Sequence, residues 1–274
     1  MFLRLFGRLL GAAIALALAS SGTLAWAVGP VQIEEMTWTE VRDRVAAGTT
    51  TILVPIGGTE QNGPHMVLGK HNVRARVLAG RIAERLGNAL VAPVIAYVPE
   101  GSIRPPAAHM RFAGTISIPE STFESMLEAT ARSFKQHGFR HVFFLGDHGG
   151  YQKSQERVAA RLNREWAGDP ACRVYSVREY YSVTQGAYVE ALKQRGFGAA
   201  EIGSHAGLSD TALSLAVDQS LVRSVKLGEG SRPGESEGVS GDPRRATAEL
   251  GRIGMQQIID ASVAAARKLT LHNR

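Results

Sequence analysis

The stretch His141-Val142-Phe143-Phe144-Leu145-Gly146-Asp147-His148-Gly149-Gly150 decides the fold. Its apolar run from 142 to 145 reads as a strand buried on both faces, the kind found in parallel sheets covered by helices. The run breaks into glycines around an acid and a histidine. In open α/β sheets, ligands sit beyond the carboxyl ends of the strands, where such a loop falls.

The same grammar recurs on either side. Residues 50–56 read as a second buried strand through Ile52, Leu53, Val54 and Ile56, and run into Gly57-Gly58-Thr59-Glu60-Gln61-Asn62-Gly63-Pro64-His65. Residues 89–98 form another apolar run that reads as a strand, and 173–177 a further strand. Between them lie helical patterns. Residues 73–86 place Val77, Leu78, Ile82 and Leu86 on one face, 119–137 place Phe123, Met126, Leu127 and Phe134, and 152–166 continue the rhythm. A helix begins near Asp210, and a long final one spans 246–269. Strands alternating with helices of this length predict an α/β fold: a central, mostly parallel sheet with helices on both faces. Two segments, 100–111 and 228–243, are rich in glycine and proline and read as long loops; ordered loops of that length are more often functional than plain linkers.

Residues 1–27 are set apart as a signal peptide: Arg4 and Arg8, a short apolar run, and Ala25-Trp26-Ala27 as the cleavage site. An uncleaved anchor is the alternative. One domain, 28–274, follows. The expected product is exported, periplasmic or secreted, with no membrane segment after cleavage. Net charge is +6, falling to +4 once Arg4 and Arg8 leave, and no basic stripe with interleaved aromatics is present, so nucleic acid is not an expected partner. Cys172 is the single cysteine and reads as a small buried residue.

Three clusters carry chemistry: Glu60 with His65, Asp147 with His148, and His205 with Asp210. Asp210 alone could be a plain acid at a helix N-terminus. Histidine and carboxylate loops converging after strands are the makings of a metal site.

The segment 54–65 resembles the opening of the creatininase (creatinine amidohydrolase) family, in which a strand runs into "G-[ST]-T-E-Q-H-G-P-H". Leu68-Gly69-Lys70-His71 is similar to that family's "L-G-T-D", and Phe112-Ala113-Gly114-Thr115-Ile116-Ser117 to its "F-P-G-T-I-S", with His109 shortly before. Gly146-Asp147-His148-Gly149-Gly150 resembles "N-G-H-G-G-N", His205-Ala206-Gly207 with Asp210-Thr211 resembles "H-A-G-x-x-E-T", and 238–248 resembles "G-V-x-G-D-P-x-x-A-T-A". The resemblance implies a three-layer α/β sandwich, a small-molecule amide substrate, a metal-dependent amidohydrolase activity and a homo-oligomer. It assigns Glu60, His71 and His148 to the metal, and His205 and Asp210 to catalysis. His71 stands where the family has a bridging Asp, Asn62 where it has a His, and Gly150 where true creatininases have a Glu. A neutral imidazole cannot bridge two ions as a carboxylate does. One divalent ion per chain is therefore expected, zinc first, with manganese or iron fitting the same set. Arg104 and His109 are candidates to face substrate, Arg104 equally a solvated loop residue. The alternatives are a non-catalytic small-molecule-binding protein on the same fold, or an exported peptidase-like hydrolase.

Overall fold

The computed structural model describes residues 30–228 and 233–271; the proposed signal peptide lies outside them. Four strands form one parallel sheet: β1 (Thr51–Ile56), β2 (Ala89–Val91), β3 (His141–Gly146) and β4 (Arg173–Ser176), in the order β2-β1-β3-β4. The helices are α1 (Trp38–Ala46), α2 (Lys70–Leu86), α3 (Glu120–Gln136), α4 (Gln152–Glu165), α5 (Arg178–Gln185), α6 (Ala187–Lys193), α7 (Ala199–Ile202), α8 (Leu208–Val217), α9 (Ser224–Gly228) and α10 (Ala248–Leu271).

The two-residue period of the strands divides the interior into two cores. Leu53, Phe143, Leu145 and Tyr175 point to the layer of α2, α5, α6, α8 and α10. Ile52, Val54, Ile56, Val142, Phe144 and Val174 point to the opposite layer, where α3 and α4 bring Phe123, Leu127, Val158 and Leu162. Each of these side chains contributes roughly 1.5–3 kcal/mol by leaving water. That double burial is why β1 and β3 carry almost no polar residues, and it gives the three-layer α/β sandwich expected from the sequence.

Two local features differ from the sequence reading. The apolar run 89–98 is not one strand. β2 ends at Val91, Ala92 N still donates to Leu53 O (2.8 Å), and the next bond to β1 comes one residue late, from Ile95 N to Pro55 O (3.0 Å), with Gly57 N donating to Ile95 O (2.9 Å). A helix also precedes β1: Thr37 Oγ1 accepts from Glu40 N while the Glu40 carboxylate accepts from Thr37 N, a capping box that starts α1. Among the described residues no helix is long and apolar enough to cross a membrane.

Candidate metal centre

The loops leaving the carboxyl ends of β1, β2 and β3 meet at one place, and a single hydroxyl ties two of them. Buried Tyr151 lies with its Oη 2.8 Å from Ile56 O and 2.6 Å from Gly57 O, to which it donates, and it accepts from Asp147 N (3.1 Å) and His148 N (3.0 Å). The spacing between the Glu60 loop and the His148 loop thus rests on a rigid aromatic side chain.

Glu60 is fully buried at the centre. Its Oε1 accepts from His71 Nε2 (2.8 Å). Its Oε2 has no hydrogen-bond partner, although His109 Nε2 lies 3.1 Å away and His148 Nε2 3.5 Å away. Glu100, 3% exposed on the loop after β2, faces the same point; neither of its oxygens has a hydrogen-bond partner, and Oε2 is 3.6 Å from His148 Nδ1. One ligand atom from each of Glu60, Glu100, His109 and His148 lies within 4.8 Å of every other. Gly58 makes room for this approach, since a Cβ there would sit 2.6 Å from Glu100 Oε1.

The electrostatics agree with the geometry. Burial alone would raise the Glu60 carboxyl, but the His71 hydrogen bond and nearby cations hold it well below the usual range. Burial, reinforced by the Glu60 charge, pushes the Glu100 carboxyl up to about 9. Burial lowers His148 to about 3, and lowers His109 as well. Two acids and two uncharged imidazoles turned toward one dry point are the donor set that a divalent cation fits.

Beside this cluster lies a second group in which every carboxylate oxygen is engaged. Asp147 Oδ2 accepts from His71 Nδ1 (2.6 Å) and Arg74 Nε (2.7 Å), and its Oδ1 from Tyr180 Oη (3.1 Å). Asp210 Oδ1 accepts from Arg74 Nη1 (2.8 Å), and its Oδ2 from Ala206 N (3.0 Å) and from Lys70 Nζ. Lys70 is fully buried and Arg74 nearly so. Burial opposes the charge on Asp210, but Lys70 and Arg74 hold its carboxyl well below the ordinary value.

His205 hangs over Glu60 from the turn before α8. The segment 238–243 holds it: His205 N donates to Ser240 O (3.2 Å) and accepts Ser240 N at its own carbonyl (2.9 Å). Gly203 permits this contact, because a Cβ there would lie 2.0 Å from Ser240 O. His205 Nε2 lies 2.9 Å from the Gln61 backbone carbonyl and 3.0 Å from the Gln61 side-chain nitrogen; in the tautomer with the proton on Nε2 it donates to the carbonyl and leaves Nδ1 as the basic atom, 3.8 Å from Glu60 Oε1. Burial and Lys70 lower this histidine to about 4, so it is neutral near pH 7. Cavities open on both sides of His205. One, of about 120 Å³, reaches Tyr181, Tyr188 and Asp210; the other, of about 220 Å³, reaches Arg111, Phe112 and Val239.

The residues singled out in the sequence therefore fall into different positions. Glu60 and His148 stand in the four-residue cluster. His71 touches Glu60 but has both ring nitrogens on carboxylates. Asp210 faces Lys70 and Arg74, and none of the described hydrogen bonds joins it to His205. Asn62 braces the loop by donating to Glu60 O (2.9 Å) and Val67 O (3.0 Å). Arg104 is exposed. The sequence reading did not single out Glu100; the signal within reach was an acid inside a loop already marked as functional by its length.

A parallel α/β domain that gathers histidines and carboxylates beyond its strand ends is a scaffold for metal-assisted chemistry. The family model described as creatininase, creatinine amidohydrolase, matches residues 34–266, and the chain belongs to the creatininase family. It is 30% identical over 196 residues to a creatinine amidohydrolase of Pseudomonas putida, covering 70% of this chain and 74% of that protein. It is 28% identical over 240 residues to a mycofactocin precursor peptide peptidase of Mycobacterium ulcerans, covering 78% and 83%. Among solved structures, a tryptophan-to-alanine variant of creatininase superposes with a TM-score of 0.73 at 24% identity, over 87% of this chain and 98% of that one. A glutamate-to-glutamine variant described as the Zn–Zn type superposes at 0.72 with 25% identity, over 87% and 97%.

Proposed function

We propose that this chain hydrolyses a non-peptide amide C–N bond, cyclic or linear, in a small molecule, using one divalent ion, with zinc the best fit to a histidine and carboxylate donor set. The observation that carries the reading is the buried cluster around Glu60, whose Oε2 has no protein partner while His148 and His109 face it. Glu60 and His148 are ligands in this reading. An ion held by Glu60 and His148 would polarise the amide carbonyl and lower the pKa of a water beside it. His205 receives the proton of that water at Nδ1 and passes it to the leaving nitrogen; the tautomer that donates from Nε2 to the Gln61 carbonyl is the one that leaves Nδ1 free for the task. Asp210 acts on the site through Lys70, Arg74 and the Ala206 backbone, holding the turn that presents His205.

A second reading, a peptide-cleaving hydrolase, draws on the two cavities that flank His205 and on the likeness to a precursor peptide peptidase. The test is turnover of lactams, formamides and short peptides by protein loaded with zinc, and again after chelation. Hydrolysis of lactams or formamides that chelation abolishes is the expected result. Cleavage of peptides alone moves the assignment to the second reading. No turnover with the metal bound makes this a small-molecule-binding protein. The same reading places the mature chain outside the cytoplasm and in a homo-oligomer. Mass spectrometry of the exported protein, expected to begin at Val28, and light scattering of the purified chain check both.

A further inference from the structure

The ligand set expected from the sequence was Glu60, His71 and His148, and the structure offers His71 a different occupation. Its Nδ1 is on Asp147 and its Nε2 on Glu60, and Arg74 Nη2 lies 3.0 Å from Nδ1. Freeing either nitrogen for a metal would strip a buried carboxylate of a partner. Glu100 is the reverse case. It is buried, it is aimed at Glu60 and His148, and both of its oxygens lack any hydrogen-bond partner. A buried carboxyl group facing another acid is costly unless a proton or a cation lies between them. The nearby cations Lys70 and Arg74 are committed to Asp210 and Asp147.

We propose that Glu100 is a metal ligand: the loop after β2 supplies it, together with His109, to complete with Glu60 and His148 a site for a single divalent ion, while His71 orients Glu60 without touching the ion. This rests on the metal-dependent reading above. His109 ligates through Nε2, 3.1 Å from Glu60 Oε2; the proton this puts on Nδ1 requires the Gln61 side-chain amide, whose Nε2 now lies 3.1 Å from that atom, to turn its oxygen toward the ring. The site holds one ion because the remaining acids beside it, Asp147 and Asp210, have every oxygen engaged by Arg74, His71, Tyr180, Lys70 or Ala206 N. The proposal also gives the long loop 100–111 a role, since an ion at Glu100 and His109 pins both of its ends.

The experiment measures zinc itself, without substrate. Full-length mature protein, Glu100→Gln and His71→Asn are dialysed against zinc, their metal content is measured, and their affinity is read by competition with a chelator. The wild type is expected to hold close to one zinc per chain. Glu100→Gln keeps the side-chain volume and is expected to bind more than about a hundredfold more weakly, since losing even an indirect partner of a metal ligand costs 10–100-fold. His71→Asn is expected to keep one zinc with a smaller loss. Anomalous scattering at the zinc edge should place the ion about 2.0–2.2 Å from a Glu100 oxygen. Wild-type affinity in Glu100→Gln, an ion on His71 and away from Glu100, two ions per chain, or no zinc in the wild type each overturns the proposal. If zinc binds through Glu100 but no amide is turned over, the ligand assignment stands and the proposed activity fails.

Discussion

Two buried polar groups lie side by side at the carboxyl ends of the strands, and they differ in one respect. Around Asp147 and Asp210, Lys70, His71, Arg74, Tyr180 and the Ala206 N–H engage every carboxylate oxygen. Around Glu60 and Glu100, three carboxylate oxygens have no hydrogen-bond partner, and histidines approach without bonding. A closed ion network is a frame: its members neutralise each other and gain nothing from a ligand. An open donor cluster keeps its desolvation cost until something binds. The frame lets the cluster stay open, because α2 and the turn before α8 are locked by Lys70 and Arg74 rather than by the donors themselves.

The sharpest way to break the comparison is chemical. His205→Gln should lower kcat by about 10²–10⁴-fold, as removal of a proton carrier does, while zinc content stays unchanged. A pH–rate profile that loses one limb in the variant would place the proton step at this residue; loss of the zinc would instead put His205 among the ligands. Next, Arg74→Met opens the frame. It leaves Asp147 and Asp210 short of a partner inside the protein, and urea denaturation should record a loss of about 3–5 kcal/mol. A loss below 1 kcal/mol would mean the frame is not the closed unit described here.

His65 belongs to neither group and sharpens the boundary between them. It donates from Nε2 to Thr211 Oγ1 (3.0 Å), has Nδ1 buried without a partner, and is lowered by burial to about 4. Its folded pKa lies below its unfolded value near 6.5. The associated stability is therefore fully present above pH 6.5 and is lost as pH falls from there toward 4. The size is about 2–3 kcal/mol. Thermal melts between pH 7 and pH 4 should show the decline, to which His109, His148 and His205 also contribute, and His65→Gln should make it shallower by the share of His65. The smallest expected effect is Tyr151→Phe. It removes one hydroxyl and leaves His148 N without its acceptor, while Asp147 N keeps Ile56 O (3.0 Å), for about 1–2 kcal/mol of stability and a measurable fall in zinc affinity. Unchanged zinc affinity would show that this hydroxyl does not set the spacing of the two loops.

Much of the architecture was readable because it depends on periodic burial. The alternation in β1 and β3, the helical faces of α2, α3 and α4, and the glycine loops that follow β1 and β3 are local patterns. The run at 89–98 misled because hydrophobicity alone does not register the extra residue that shifts the pairing between Ala92 and Ile95. The capping box at Thr37 and Glu40 was a local signal too, but α1 buries none of its side chains and lacks the strong periodicity of the others.

The sequence by itself determined the parallel sheet, its two covered faces, the loops that carry Glu60, His148 and His205, and membership of the creatininase family. These follow from local spacing, which a chain writes in order. Only the tertiary structure decided which donors are open. His71 looks like a ligand in sequence, and what occupies its two nitrogens is Asp147, 76 residues away, and Glu60, 11 residues away. Glu100 looks like a loop acid, and its burial against Glu60 and His148 comes from three loops packing together. Whether a carboxylate is satisfied or left waiting depends on its neighbours in space, and no spacing along the chain encodes that.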